Sequence, residues 1–219
     1  MPRLSQVSKA DAHPRAQQLY TYLFGERDPV AEPGTTTGAP GNWWTVMAQL
    51  PEMFDHMVDG IAFYRSPDRK LDPFLRELGQ IRVGYAQASQ FVFSQHCKAC
   101  REMGMSEEKI QAIPNWSVAT CFSDAERAVL AYTDALVLEG GRVSDGVFAA
   151  VAEHLDEVEI LEFTYITLTY DLHARMTKAL KLEFDDVEER IVEIPGGLLD
   201  PRAARAQAAA EAQAAASAD

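Results

Sequence analysis

The chain has 219 residues, of which 47% are hydrophobic and 24% charged, and its formal net charge at pH 7 is −13. This composition is typical of a globular protein that can bury a core without disulfides or metal ions. The acidic balance disfavours nucleic acids and anionic membrane surfaces as partners, because both attract clustered Lys and Arg. An odd number of cysteines, three, does not indicate a disulfide framework and favours a reducing compartment. The amino terminus lacks an apolar signal segment, and no apolar run approaches the ~20 residues of a spanning helix, so we expect a cytoplasmic protein.

The first predicted elements are a short amphipathic helix over residues 10–24 and a Gly- and Pro-rich loop over residues 25–41. A loop of this length is either a lid over a site or a connector. A helix opens at Asn42, and Pro51 falls inside its apolar pattern. Proline removes a backbone donor, so we expect a break or a new helix start there.

The central stretch, residues 74–111, carries the tightest cluster of reactive side chains in the sequence. The Asp72-Pro73 pair before it is typical of a helix N-terminus. The stretch holds an apolar helix with Glu77, a weak break over 84–89, and a second helix that ends in His96, Cys97 and Cys100. The rest of the chain is interpreted around this pair of helices.

The remaining helices are marked by capping residues. These are Ser106, the capping box Ser123-x-x-Glu126, Ser144 and Asp156. Asp156 opens a long helix, residues 157–180, whose apolar residues lie on most sides and predict central burial. Its β-branched residues also permit a strand, but its length and the Leu161/Tyr165/Leu168/Leu172 spacing favour a helix. The Ala-rich segment 203–219 predicts a frayed helix or disorder. The fold class is therefore all-α.

The position of the break decides whether Glu77 and His96 can cooperate. On one straight helix, 19 residues would separate them by about 28 Å. If the chain turns back near 84–89, they become neighbours on antiparallel helices. Ser89, Val92 and His96 share a face of the second helix, because seven residues advance about two turns. Semi-buried carboxylates have raised pKa values and histidine titrates near neutrality, so such a pair suits proton transfer.

These helices resemble the carboxymuconolactone decarboxylase / AhpD-like family over about residues 42–185. The segments that carry the resemblance are Arg76-Glu77-Leu78 with Arg82-Val83, the helix ending in His96 followed by Met103-Gly104-Met105-Ser106, Ser123–Ala128, the Val147–His154 helix, and Tyr170-x-x-His173-Ala174-Arg175. The resemblance implies an AhpD-like helical bundle, with residues 1–41 as an N-terminal helical extension and 186–219 as an acidic, Ala-rich tail. It also implies a homo-oligomer.

In AhpD-like members a glutamate is followed by a Cys-x-x-Cys pair at the start of the second helix and a histidine four residues later. On that pattern the glutamate is Glu77 and the histidine is His96. The two cysteine positions fall on Ser89 and Val92, so both redox thiols are absent. Thiol peroxidase chemistry needs a thiolate and a resolving thiol. The decarboxylase branch of the family uses acid/base groups instead.

A second Cys-x-x-Cys, Cys97 and Cys100, lies eight residues downstream of those positions. It could be a displaced redox pair, an incidental pair or, least of all, a metal site. Both cysteines lie beyond the first turns of the helix, where its dipole no longer lowers a thiol pKa. The sequence therefore favours structural cysteines.

Further candidates for the pocket come from this stretch and from the long helix. Tyr85 lies near the break and could reach the site, whereas Tyr170 and His173 lie on the long helix and could be core, interface or pocket residues. The secondary or pocket residues expected from the sequence are Ser89, Val92, Tyr85, Cys100, His173 and Tyr170.

Three functions follow as hypotheses. The first is a decarboxylase-like enzyme that acts on a small oxo-acid or lactone-type substrate without a metal or organic cofactor. In it, Glu77 is the general acid/base and His96 its relay or partner. The second is a thiol peroxidase or disulfide reductase that uses Cys97 and Cys100. The third is a non-catalytic binding or assembly protein, which would show Glu77 ion-paired and inaccessible.

Overall fold

The computed structural model describes residues 1–35 and 39–183, and these residues form helices and no strands. The expected all-α fold is thus confirmed. The predicted tail 186–219 lies outside the described residues, and the proposed domain boundaries stay predictions. The described helices are α1 (Pro14–Phe24), α2 (Asn42–Met47), α3 (Pro51–Arg65), α4 (Pro73–Ala86), α5 (Gln90–Glu102), α6 (Glu107–Ala112), α7 (Asp124–Val137), α8 (Asp145–Ala152) and α9 (Glu157–Leu180), with a 3₁₀ turn at Ile113–Asn115.

The N-terminal helices α1, α2 and α3 pack together against the end of α9. Tyr20, Trp43 and Phe54 are buried in this cluster, which also takes in Leu182. α1 begins later than expected because Pro14 occupies its first turn, where a missing backbone donor costs nothing. Pro51 starts α3 in the same way, which confirms a second helix start there. No helix among the described residues is long and apolar enough to cross a membrane.

The helices α4 and α5 form the antiparallel hairpin at the centre of the fold. The Asp72 side chain caps α4 by accepting from the Phe74 amide, and Ser89 caps α5 by accepting from the Val92 amide. Between the helices Ala88 adopts a positive φ of 49°. The chain therefore turns over 87–89, within the expected break but later than its glycine.

Gly84 has a different role from the one its place in the expected break indicates. It lies inside α4, where a Cβ would come 2.6 Å from the Phe93 amide nitrogen of α5. Glycine is needed there because the two backbones approach closely. This contact fixes how tightly α4 and α5 pack.

The long helix α9 is only half covered, which corrects the expectation of central burial. Phe163, Ile166 and Ala174 face the core. The opposite face is an exposed apolar stripe. Its members are Leu161 (70% exposed), Tyr165 (51%), Leu168 (41%) and Leu172 (54%). The helical spacing of this stripe is the expected one. The Phe63 ring of α3 contacts it, 5.7 Å from the Tyr165 ring, but its members stay largely exposed.

Candidate functional site

The hairpin brings Glu77 of α4 and His96 of α5 into direct contact. His96 Nδ1 lies 2.6 Å from Glu77 Oε2, although 19 positions separate the residues in the chain. Glu77 is 5% exposed and His96 7%. The expected folding back of the chain is thus observed, and the two side chains form a nearly buried pair.

Two further residues of α4 hold the Glu77 carboxylate. Arg76 donates to Glu77 Oε1 over 3.0 Å. The Gln80 amide is fully buried, and in the orientation that its neighbours dictate its nitrogen lies 2.9 and 3.0 Å from the two carboxylate oxygens. Arg76 and the Gln80 nitrogen can only donate to Glu77, which is the environment of an ionised carboxylate.

The electrostatics of Glu77 differ from the sequence expectation. Burial alone would raise the pKa of this carboxyl, but the charges and hydrogen bonds of His96 and Arg76 outweigh burial and hold its pKa below the ordinary value of 4.5. The expected raised pKa is therefore wrong, because the sequence pattern did not show how many donors converge on the carboxylate. Glu77 is ionised at neutral pH.

The imidazole of His96 packs against the Tyr170 ring, which is part of a group of aromatic side chains. The Tyr170 ring stands edge-on to it, with centroids 4.5 Å apart, and the Tyr170 hydroxyl donates a short hydrogen bond to the Tyr64 hydroxyl. His173 lies 5.2 Å from the Tyr170 ring and 4.9 Å from the Trp43 ring. The structure therefore groups Tyr170 and His173 with His96.

His173 is the neutral member of this group. Burial, and then the charge of His96, lower its pKa from 6.5 to about 4. Burial between aromatic rings disfavours the imidazolium. At neutral pH His173 therefore adds a dipole and a surface to the site without adding charge.

The two positions that carry thiols in AhpD-like proteins lie at the start of α5. Ser89 Oγ is 3.2 Å from the Thr177 hydroxyl of α9 and also caps α5. Val92 is buried in the main core. Ser89 thus has a structural role in capping, and Val92 has one in packing.

Cys97 and Cys100 point into a separate core cluster with Leu78 and Phe93. Cys100 is 0% exposed and Cys97 1%. Burial first, and then the nearby charge of Glu77, raise the pKa of the Cys100 thiol far above its ordinary value. Tyr85 belongs to the same cluster, with its ring 6.1 Å from that of Phe93. The structure thus groups Cys100 and Tyr85 with core residues rather than with the aromatic rings around His96.

Sequence reasoning missed Gln80 and Tyr64. Gln80 could have been found, because it lies three residues after Glu77 and so on the same face of α4. Tyr64 comes from the end of α3, and no spacing connects it to the hairpin. Within the described residues, no three His, Cys, Asp or Glu side chains are grouped so as to hold a metal ion.

Comparison with solved structures defines the class of this fold. An alkylhydroperoxidase AhpD core, a peroxidase-related protein from Ralstonia eutropha JMP134, superposes with a TM-score of 0.67 at 15% identity, over 89% of this chain and 98% of that one. A protein of unknown function from Agrobacterium tumefaciens gives a TM-score of 0.58 at 23% identity, over 64% of this chain and 94% of that one. The fold is AhpD-like.

Sequence comparison gives the family. Residues 48–135 match the model of the carboxymuconolactone decarboxylase family. The uncharacterized protein YdfG of Bacillus subtilis (strain 168) is 30% identical over 92 residues, which are 42% of this chain. The chain spans 63% of the length of that curated relative. The match over residues 48–135 and the AhpD-like fold agree with the resemblance to the carboxymuconolactone decarboxylase / AhpD-like family inferred from the sequence.

Proposed function

We propose that the protein is a carboxymuconolactone decarboxylase-like enzyme that transfers protons on a small oxo-acid or lactone-type substrate through Glu77 and His96. The observation that supports this most directly is the 2.6 Å contact between His96 Nδ1 and Glu77 Oε2. A carboxylate oriented by Arg76 and bonded to an imidazole is the arrangement by which proteins set the tautomer and basicity of a histidine.

The contacts assign the two roles differently from the sequence interpretation. An ionised carboxylate can only accept hydrogen bonds, so His96 Nδ1 donates to Glu77 and Nε2 keeps its lone pair. His96 Nε2 has no hydrogen-bond partner among the described residues. We therefore assign His96 as the general acid/base and Glu77 as the group that orients it.

The proposed step conserves protons. His96 Nε2 takes a proton from the carbon next to the substrate carbonyl, so a C–H bond breaks and an N–H bond forms. Glu77 stabilises the imidazolium that results. In a rearrangement the same proton returns to carbon. In a decarboxylation the C–C bond to the carboxylate breaks instead, carbon dioxide leaves, and the electron pair left on carbon takes one proton from a His96 imidazolium, which solvent protonates again. This is general acid–base catalysis, which typically contributes about 10²- to 10⁴-fold in rate.

Proton exchange tests this assignment without knowledge of the natural substrate. In D₂O, exchange of the protons next to the carbonyl of levulinate, a small oxo acid, is followed by NMR. Glu77→Gln and His96→Gln should each slow the protein-catalysed exchange by about 10²-fold or more. Glu107→Gln is the matched control, because Glu107 also pairs with an arginine, Arg101, but is exposed. Unchanged exchange in both site variants would exclude the assignment.

The burial of the pair supports a second candidate, a non-catalytic binding or assembly protein. Glu77 is ion-paired to Arg76 and only 5% exposed, which is the state expected of such a protein. The exchange experiment separates the two candidates. A wild-type protein that catalyses no exchange, yet binds small molecules, would favour the second.

The thiol peroxidase hypothesis is less well supported. Its thiols, Cys97 and Cys100, are buried, and the pKa of Cys100 is raised. A thiolate is the reactive form. Both conditions work against peroxide reduction by this pair.

We also propose self-association through the apolar stripe of α9, since water-exposed apolar residues at helical spacing typically cover a partner helix. The stripe comprises Leu161, Tyr165, Leu168 and Leu172. A monomeric mass in light scattering would contradict this proposal.

A further inference from the structure

One cation beside the site is not used by the proposed mechanism. Arg65 is the last residue of α3 and is exposed, with its Cζ 5.9 Å from the centroid of the Tyr64 ring. The Tyr64 hydroxyl accepts from Tyr170, whose ring lies 4.5 Å from that of His96. Arg65, Tyr64, Tyr170 and His96 therefore form a continuous series of contacts from the surface to the pair.

The guanidinium of Arg65 differs from that of Arg76, which also contacts the Tyr64 ring. Arg76 Cζ is 5.7 Å from the Tyr64 centroid, but its nitrogens are used for Glu77 and for the Tyr64 carbonyl. Arg65 has no carboxylate within 4 Å among the described residues. The other arginines that contact carboxylates are Arg15, Arg69, Arg82, Arg101 and Arg175. Tyr64 takes one side-chain hydrogen bond from Arg65, and the remaining guanidinium donors are available to a ligand.

The charges around Arg65 connect it to the site. Tyr64 first, and to a smaller extent Tyr170 and Glu77, raise the pKa of Arg65 against the opposing effect of burial. This guanidinium stays cationic at any pH the protein meets. A small anion held by Arg65 would lie within the electrostatic range of the pair.

An anion-binding site in this acidic protein needs a cationic side chain. The chain carries a net charge of −13, so its general field repels an anionic ligand. The planar fork of an arginine matches a carboxylate with two parallel hydrogen bonds. We propose that Arg65 binds the carboxylate of the substrate and so selects oxo acids over their neutral analogues. This assignment rests on the proposed function, because it names the substrate group that the same site recognises.

Binding of an acid and its ester tests Arg65 directly. Levulinate and methyl levulinate differ in one negative charge, and their binding is followed through the ring resonance of His96, assigned by its loss in His96→Gln. In the wild type we expect levulinate to shift this resonance and to bind more tightly than the ester. Arg65→Gln should weaken the binding of levulinate by about tenfold and leave the binding of the ester unchanged, because only a charged contact is lost.

Two matched variants accompany this measurement. Arg142→Gln removes another exposed guanidinium, one that bonds the Glu139 carbonyl between α7 and α8, and should leave both affinities unchanged. Arg65→Lys keeps the charge without the fork and should fall between the wild type and Arg65→Gln. A wild type that does not bind levulinate would overturn the proposal. So would an Arg65→Gln variant that binds the acid normally or loses acid and ester equally.

This readout is separate from the test of the proposed function. Binding is measured in the absence of turnover, whereas the function is tested by exchange in Glu77→Gln and His96→Gln. Slowed exchange in those variants together with normal levulinate binding by Arg65→Gln would refute only the role of Arg65. Unchanged exchange together with weakened binding would refute only the proton-transfer pair.

Discussion

Helix α4 makes two buried ionic contacts, and they differ in the chemical nature of the partner side chain. Glu77 meets His96, a group that can gain or lose a proton. Five residues later, Arg82 forms two hydrogen bonds with Asp134 of α7, at 2.6 and 2.8 Å, and a third with the Ile113 carbonyl. The Trp116 indole also donates to Asp134.

The Arg82 contact holds the fold together and has no group that titrates near neutral pH. Guanidinium keeps its proton in proteins, so this contact is the same at every working pH. The Glu77 contact is somewhat more buried, with side chains 6% and 10% exposed against 8% and 21%, and its partner is an imidazole, a group that can accept or release a proton. Burial and ion pairing alone therefore do not indicate a functional site; the chemical nature of the partner does.

The largest expected effect is the loss of the structural contact. Asp134→Ala leaves the Arg82 guanidinium, whose side chain is 8% exposed, without its carboxylate. Breaking a buried pair on one side typically costs about 3–5 kcal/mol, and we expect about 3 kcal/mol because Asp134 is partly exposed. The free energy of unfolding in urea measures it. Asp171→Ala is the control, since Asp171 pairs with an exposed arginine one turn along α9, and should cost about 0.5 kcal/mol. Equal losses would show that the Arg82 contact does not stabilise the fold.

The next effect is smaller: the contribution of His173, which has no carboxylate beside its imidazole, to the free energy of unfolding depends on pH. The pKa of His173 is lowered from 6.5 to about 4, so between these values the unfolded chain binds a proton that the folded chain does not. The resulting stability is fully present above pH 6.5, declines as the pH falls toward 4, and is constant below. The decline amounts to at most about 3 kcal/mol.

His173→Phe should remove this decline and keep the ring between Trp43 and Tyr170. The measurement is the difference in unfolding free energy between the wild type and the variant from pH 7 to pH 4. Glu77 also has a lowered pKa and also loses its stabilising contribution as the pH falls, but this loss lies below about pH 4.5 and so below most of the range of His173. A constant difference between the two proteins across this range would contradict the pKa assigned to His173.

Much of the fold could be predicted because its signals are local. Asp72, Ser89, Ser123 and Asp156 cap helices through contacts within four residues, and such contacts appear in the sequence directly. To predict that Glu77 and His96 are neighbours, one further inference was needed, namely that the chain turns back between them. That inference was sufficient because a two-helix hairpin has few alternatives.

The rest of the site depends on long-range packing, which one sequence does not encode visibly. Tyr64 reaches Tyr170 from a helix 106 residues away in the chain. The sign of the pKa shift at Glu77 depends on counting its donors, and Gln80 and the orientation of Arg76 become known only in three dimensions. The exposure of one face of α9 was missed for a related reason, since an apolar pattern shows which residues are buried only when the number of neighbouring elements is known.

The smallest expected effect concerns the reactivity of the three cysteine thiols. Cys121 is half-buried, whereas Cys97 and Cys100 are buried. In the native protein we therefore expect a thiol-reactive reagent to label Cys121 alone, and Cys121→Ser to abolish labelling; in urea all three cysteines should react. Cys100→Ser should change levulinate exchange less than twofold, because the thiol does not enter the proposed proton transfer.

Treatment with mild peroxide tests directly whether the thiols or the Glu77–His96 pair are the functional groups. Both thiols are buried, and the raised pKa of Cys100 leaves it little thiolate, so mass spectrometry should find Cys97 and Cys100 unmodified. If a Cys97–Cys100 disulfide forms and peroxide is consumed with it, the roles assigned to His96 and to the cysteines of α5 are wrong. The redox pair would then be the functional group of this helix, and His96 would serve it as a base rather than act on a carbon acid.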